Sequence, residues 1–325
     1  MKLLVTGANG FVGQAICKHL AGLQHDVVAQ MRTDRALLNS DRSKQYIRRL
    51  TADLDQISEE KKSFEAIDAV IHCAARVHQV SDPSADPLAA YRAVNTAATL
   101  ALAQAAADAG VRRFVFISSV KVNGEFTRPG QAFRSQDAAP QDPYGISKWE
   151  AEVGLLEIAA KTGMEVVIIR PPLVYGPGVK ANFLTMMRWL QRGIPLPLGA
   201  INNQRSLVAL PNLVDFITLC LTHPKAANQT FLISDQQDLS TTELLSGLGQ
   251  ALRRPARLMR VPQSLLEMGL KAVGKSGVAQ RLCSDLTVDS TPATDWLGWT
   301  PPLTMQQGLQ LTADHFLKQR AEQRD

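Results

Sequence analysis

The feature that most constrains this chain is a glycine-punctuated junction in its first thirteen residues. Lys2 to Thr6 form a short apolar run, and Gly7-Ala8-Asn9-Gly10-Phe11-Val12-Gly13 follows at once. The glycines fall three apart, after a strand-like segment and before an amphipathic run from Phe11 to Leu20. A strand that turns sharply into a helix lets backbone approach a pyrophosphate and aims helix N–H groups at that anion. The strand-to-helix context gives the motif its weight, because a glycine triplet elsewhere means little. Gly7, Asn9, Gly10, Phe11, Val12 and Gly13 are therefore expected to hold the diphosphate of a dinucleotide.

The alternation continues through the first half. Strands are expected at Lys2–Thr6, Asp26–Met31, Tyr46–Leu50, Ala69–Cys73, Arg113–Ser118 and Glu165–Ile169. Helices are expected at Phe11–Leu20, across the alanine-rich stretch near Tyr91–Ala109, and at Tyr144–Lys161. Strands that alternate with helices argue for a parallel sheet covered on both faces. Phe114-Val115-Phe116-Ile117 is apolar throughout, as a doubly buried central strand should be. After Arg170 the composition changes. Pro171-Pro172, Gly176-Pro177-Gly178 and Pro195-Leu196-Pro197 mark loops and short elements. Helices resume near Leu210–Thr222, Thr241–Leu252, Gln263–Val273 and Thr304–Arg320.

Composition removes several classes. The chain has 325 residues, 45% of them hydrophobic and 20% charged, which suits a globular protein. No stretch reaches the roughly 18 uninterrupted apolar residues that a membrane span needs. Cys17, Cys73, Cys220 and Cys283 are scattered, with neither disulfide-framework nor metal-ligand spacing, so a reducing cytoplasmic setting is expected. His72, His78 and His223 lack metal-ligand partners at useful spacing, so no metal is expected and the histidines are read as structural. The net charge is +5, and the basic residues read as dispersed. That argues against nucleic-acid binding and suits a phosphorylated substrate.

The chemistry-bearing pattern is Tyr144-Gly145-Ile146-Ser147-Lys148 at a helix start. Residues four apart share a helix face, and an ammonium beside a phenol favours the phenolate. Such a pair can serve as an acid or base near neutral pH. Ser118-Ser119 ends a buried strand, where Ser119 could hydrogen-bond the same substrate oxygen.

Together, the glycine motif, Ser119 and Tyr144/Lys148 resemble an extended short-chain dehydrogenase/reductase, and the likeness runs along essentially the whole chain. It implies a Rossmann-type doubly wound parallel sheet with a smaller α/β C-terminal substrate lobe. Residues 1–176 would carry the cofactor and 177–325 mainly the substrate, with about 206–235 returning to the first domain. Ser119, Tyr144 and Lys148 would be catalytic. Asp53-Leu54 resembles the adenine-contacting pair, and His72-Cys73-Ala74-Ala75 the cofactor-facing turn, which assigns Ala74 and Ala75 to the cofactor. Asn95 resembles the helix asparagine that supports the lysine. Ser118 and the segment opening at Arg170-Pro171 would lie along the nicotinamide. Asn182-Phe183 and Arg205-Ser206-Leu207-Val208 resemble stretches that hold a nucleotide-sugar's diphosphate and uridine. Arg281 is a weaker match to a phosphate-binding arginine, and Lys121 is a candidate substrate contact that reads first as a solvated loop lysine. Leu297-Gly298-Trp299-Thr300-Pro301 is typical of sugar-nucleotide members.

Within the family the pattern is similar to a UDP-glucose 4-epimerase-like branch, which also contains 4-reductases of UDP-4-keto-6-deoxy-N-acetylhexosamines that serve bacterial surface polysaccharide. The UDP-sugar substrate, the cytoplasmic location and a homodimer follow from the resemblance. A dehydratase carries an Asp-Glu pair where this chain has Val120-Lys121, so dehydration is not expected. The second strand ends Ala29-Gln30-Met31-Arg32-Thr33-Asp34-Arg35, with Arg32 where NAD-selective enzymes carry an acid. Arginine can pair with a 2′-phosphate, which favours NADP(H). Asp34 in a shifted alignment keeps NAD(H) open. A 4-reductase using NADPH is therefore expected first, a 4-epimerase second, and a non-catalytic NADP(H) sensor third, because a sensor needs no proton relay.

Overall fold

A computed structural model of the chain describes residues 1–33, 44–77 and 84–322. Asp34, Arg35 and His78 lie outside the described residues. Nine strands are described: β1 (Lys2–Thr6), β2 (Asp26–Met31), β3 (Ile47–Thr51), β4 (Ala69–His72), β5 (Arg113–Ile117), β6 (Glu165–Arg170), β7 (Leu173–Tyr175), β8 (Leu207–Ala209) and β9 (Gln229–Leu232). Seven form one sheet in the order β3-β2-β1-β4-β5-β6-β9, and every neighbouring pair is parallel. β7 and β8 form a separate parallel pair. The order reverses between β1 and β4, and such a switch point opens a ligand crevice at the carboxyl ends of the strands.

The helices are α1 (Phe11–Gly22), α2 (Leu54–Glu59), α3 (Pro87–Tyr91), α4 (Ala98–Asp108), α5 (Pro143–Thr162), α6 (Ala181–Arg192), α7 (Leu210–Cys220), α8 (Thr241–Ala251), α9 (Gln263–Ala272), α10 (Ser276–Cys283), α11 (Thr291–Leu297) and α12 (Met305–Glu322). One apolar layer packs β1 and β2 side chains against Ile16, Cys17 and Leu20 of α1 and Leu213, Phe216 and Ile217 of α7. The opposite layer packs Leu4, Val70, Phe114 and Phe116 against Leu102 and Ala106 of α4 and Ala151 and Leu155 of α5. A third cluster joins α6, α8 and α12 through Phe183, Met187, Leu245, Leu248 and Phe316. Ala293, Leu297 and Trp299 return to the first layer, as does Phe231 of β9.

Six strand expectations hold to within a residue or so. β7, β8 and β9 escaped the sequence reading, as did α2, α6, α10 and α11. The three strands are only three or four residues long, too short for alternation to register. The expected single helix over 91–109 is interrupted, because Arg92–Ala97 winds as a π-helix before α4 begins. Among the described residues no helix is long and apolar enough to cross a membrane.

Candidate active site

The glycine junction is held by backbone and a buried glutamine. Gly7 has φ +64, and a Cβ there would lie 2.7 Å from the Ala74 nitrogen, so the turns after β1 and β4 meet at backbone distance. A Cβ on Gly13 would lie 2.3 Å from the Gly7 carbonyl oxygen, which only glycine permits. Gly10 N donates to Gly7 O at 2.9 Å. Asn9 O accepts from Gln14 Nε2 at 3.3 Å. Gln30 Oε1 accepts from Gly7 N at 3.1 Å, while Gln30 Nε2 donates to Ala52 O at 2.7 Å. No side chain caps α1, and its first turn holds Phe11 and Val12 with no acid. Its N–H groups therefore remain open to an anion, and the cradle fits a dinucleotide diphosphate.

The flanking candidates sit around this cradle with unequal freedom. Ala74 N donates to Thr6 Oγ1 at 3.3 Å, and Ala75 follows it along the turn. Arg32 is exposed at the end of β2. Asp53 caps α2 in a reciprocal box with Gln56, whose Oε1 accepts from Asp53 N at 2.9 Å, and Leu54 is buried beneath it. Asp53 thus has a structural task independent of any ligand. His72 is read as structural and behaves so. It is fully buried, with Nδ1 2.7 Å from Thr6 Oγ1 and Nε2 2.9 Å from Thr99 Oγ1. Burial, with Lys148 nearby, pushes its pKa down to about 3.

The triad is assembled by the ends of two elements. Ser119 caps the short turn Val120–Val122, and Tyr144 and Lys148 stand four apart on α5. Ser119 hydrogen-bonds Tyr144. Lys148 Nζ donates to Ile117 O at 2.9 Å and lies 4.3 Å from the centre of the Phe116 ring. Burial pushes Lys148 down to about 8, and Cys73 and Glu152 act the other way. Burial raises Tyr144 to about 12 against the lowering Ser119 bond, and Asp142 and Tyr91 raise it further. The expected lowering of the phenol is therefore not seen as a net effect, because burial outweighs it. In this structure dehydration dominates, leaving Tyr144 a neutral phenol and Lys148 mostly an ammonium near pH 7.

Three further expectations change. The Asn95 side chain accepts from Arg76 N at 2.8 Å and donates to Ser147 Oγ at 3.0 Å, so its support reaches Lys148 only through the neighbouring residue. The Ser118 hydroxyl donates to Glu152, so toward a cofactor it has only its lone pairs to offer. Lys121 is not a simply solvated loop residue, because its ammonium pairs with Glu125 and with Asp142 Oδ2 at 2.9 Å. Asp142 in turn caps α5, accepting from Gly145 N at 2.6 Å. Pro171 O accepts from Val120 N at 3.0 Å, which ties the end of β6 to the Ser119 turn.

The remaining substrate candidates come from elements later in the chain. Asn182 is exposed on the first turn of α6, and Arg281 is exposed on α10. Arg205 donates from Nη1 to Ser284 O at 3.0 Å. A cavity of about 910 Å³ opens beside Arg134, Asp137, Ser234, Gln236, Asp238 and Asp289, and none of the triad lines it.

Sequence reasoning missed what holds the triad from below. Glu152 and Arg170 are each 1% exposed and paired, with Arg170 Nε 3.0 and 3.1 Å from the two Glu152 oxygens. Arg170 Nη1 also donates to Asn123 Oδ1 at 3.2 Å and to Ser135 O at 2.8 Å. The signal was present, since Tyr144, Lys148 and Glu152 recur every four residues on one face of α5. Also missed was a stack behind the phenol, in which Arg76 lies 5.4 Å over Tyr91 and Tyr91 meets Tyr144 edge-on at 6.0 Å.

The model of the NAD dependent epimerase/dehydratase family matches residues 3–234. The chain belongs to that family. It is an NAD(P)-dependent oxidoreductase of the extended short-chain type, with a Rossmann-like seven-stranded sheet. It is 46% identical over 318 residues to a UDP-glucose 4-epimerase of Vibrio cholerae, covering 97% of this chain and 95% of the relative. An N-acetyl-alpha-D-glucosaminyl-diphospho-ditrans,octacis-undecaprenol 4-epimerase of Escherichia coli O157:H7 is 25% identical, covering 96% and 94%. A UDP-glucuronic acid 4-epimerase from Bacillus cereus, solved in complex with NAD, superposes with a TM-score of 0.78 at 21% identity, over 98% of this chain and 99% of that one. This last likeness speaks to the fold alone.

Proposed function

We propose that this enzyme inverts the C4 hydroxyl of a UDP-hexose or UDP-N-acetylhexosamine. The observation that carries the reading is the Ser119–Tyr144–Lys148 assembly beside an uncapped, glycine-built dinucleotide cradle. The 46% likeness to an epimerase over almost the full length supports inversion over net reduction. When bound, a nicotinamide supplies a reversible hydride acceptor at C4. The Tyr144 phenol would first yield its proton to solvent, with the Lys148 ammonium favouring the phenolate; that Oη then takes the proton of the C4 hydroxyl and later returns it, while Ser119 Oγ hydrogen-bonds the same oxygen. Arg205, Arg281 and Asn182 would face the nucleotide diphosphate. The sequence ranked a 4-reductase first; the epimerase is placed ahead here on the strength of that likeness.

A specific observation keeps the second reading alive. Arg32 is exposed at the end of β2, and among the described residues there no acid follows it, Asp34 lying outside them. An arginine at that place suits a 2′-phosphate, hence NADPH and a 4-reductase that consumes one equivalent per sugar. The two readings part on stoichiometry. The epimerase interconverts UDP-GlcNAc and UDP-GalNAc, or the glucose pair, without added reductant. The reductase leaves them untouched and oxidises NADPH with a UDP-4-keto-6-deoxy sugar. If Arg32 holds a 2′-phosphate, Arg32→Ala weakens NADPH binding roughly tenfold to hundredfold and spares NADH, as titration calorimetry would read. Equal losses for both cofactors would remove the argument for NADPH. We place the enzyme in the cytoplasm as a homodimer through α4 and α5, where Val153 and Leu156 leave apolar surface exposed.

A further inference from the structure

The reading of the basic residues as dispersed does not hold. Of the 35 lysines and arginines, seven fall within residues 253–281, together with only one of the 30 acids. That stretch alone is more positive than the whole chain's +5, and the remainder is close to neutral. The seven are Arg253, Arg254, Arg257, Arg260, Lys271, Lys275 and Arg281, all exposed. The single acid, Glu267, accepts from Gln263 Nε2 at 2.9 Å.

The same stretch carries uncovered apolar surface. No residue of α9 is buried. Leu265 and Met268 are 52% and 62% exposed and, with Ala272, recur at a spacing of three and four along one outward face. Leu266 lies on another face and packs against the third core cluster, which fixes the helix to the lobe. Met259 and Val273 flank the helix at 49% and 65% exposure. Leu196 N donates to Arg257 O at 2.9 Å and Met259 N to Leu196 O at 2.8 Å, which brings the exposed Ile194 alongside. A helix with a bare apolar stripe, set among cations with almost no acids, has the make-up of an element that lies in a membrane interface.

We propose that α9, with its basic flanks, docks the substrate lobe onto an anionic phospholipid surface. The apolar stripe enters the acyl boundary while Arg257, Arg260, Lys271 and Lys275 meet lipid phosphates. Charge complementarity selects this occupant, because an acidic headgroup layer matches both the sign and the concentration of the charge. The contact is peripheral and reversible and needs no spanning segment.

The test is sedimentation of the full chain with vesicles of phosphatidylglycerol and phosphatidylcholine, against phosphatidylcholine alone. The expected result is binding to the anionic vesicles that falls with salt, and little to the neutral ones. Each basic residue near such a surface is worth about fivefold in partition. Arg257→Gln, Arg260→Gln, Lys271→Gln and Lys275→Gln together should therefore lower binding by about tenfold or more. Leu265→Ser with Met268→Ser should lower it while leaving the charge in place. Both variants alter exposed positions, so melting temperature and turnover of soluble substrate should match the parent. Equal sedimentation with both vesicle types, or variants that bind like the parent, would overturn the proposal. So would light scattering in which the Leu265/Met268 variant alone loses mass without any vesicle binding, because the face would then join two copies of this chain.

Discussion

At the scale of single residues, the site sets a buried phenol and a buried ammonium four residues apart on one helix. Tyr144 is raised to about 12 and Lys148 lowered to about 8, both through burial. Tyr144→Phe keeps the ring against Tyr91 and deletes the proton. Turnover should fall by about 10²–10⁴, with nucleotide affinity nearly unchanged in a fluorescence titration. An unchanged turnover would remove Tyr144 from the chemistry. His72 makes a different prediction. Its folded pKa is about 3 against an ordinary 6.5, so the unfolded chain binds the proton first. The stability linked to it is complete above about 6.5 and is lost as pH falls toward 3, by up to about 1.4 kcal/mol per pH unit. His72→Gln keeps hydrogen-bonding groups near Thr6 and Thr99 but cannot titrate. Urea melts of this variant should lose that share of the acid slope, and an unaltered slope would mean that other groups carry it.

At the scale of elements, the catalytic helix is anchored twice. Asp142 caps its start and pairs with Lys121 of the Ser119 turn, while Glu152, ten residues on, is locked to Arg170 of β6. Ser119, Tyr144 and Lys148 thus sit between two fixed points. Glu152→Gln leaves Arg170 buried without its counter-charge and should cost about 3–5 kcal/mol in urea unfolding. Replacing both partners with methionine should cost much less than the two single changes combined. The early strands and α5 were legible because burial on both faces writes long apolar runs, and because the tyrosine, lysine and glycine spacings are local. The anchors were not, since Ser118, Glu152 and Arg170 come from three distant segments and each alone reads as an ordinary polar residue. Lys121 was misread for the same reason, as its partner Asp142 lies 21 residues away. α6 was hidden behind proline and glycine punctuation, and β7 to β9 were too short to show a period.

At the scale of the molecule, a parallel sheet carries the cofactor cradle and the triad, and α6, α8 and α12 gather around an apolar cluster of their own. The charge is divided unevenly between these parts, with the excess gathered on α9 and its flanks. The central claim is that this assembly inverts a C4 hydroxyl with no net redox change. Proton NMR of UDP-GlcNAc, and separately of UDP-glucose, incubated with the purified enzyme and no reductant tests it most directly. The account predicts growth of the UDP-GalNAc or UDP-galactose anomeric signal to a common equilibrium from either side, abolished in Tyr144→Phe. Unchanged spectra for both pairs, together with one equivalent of NADPH oxidised on a UDP-4-keto-6-deoxy sugar, would contradict it.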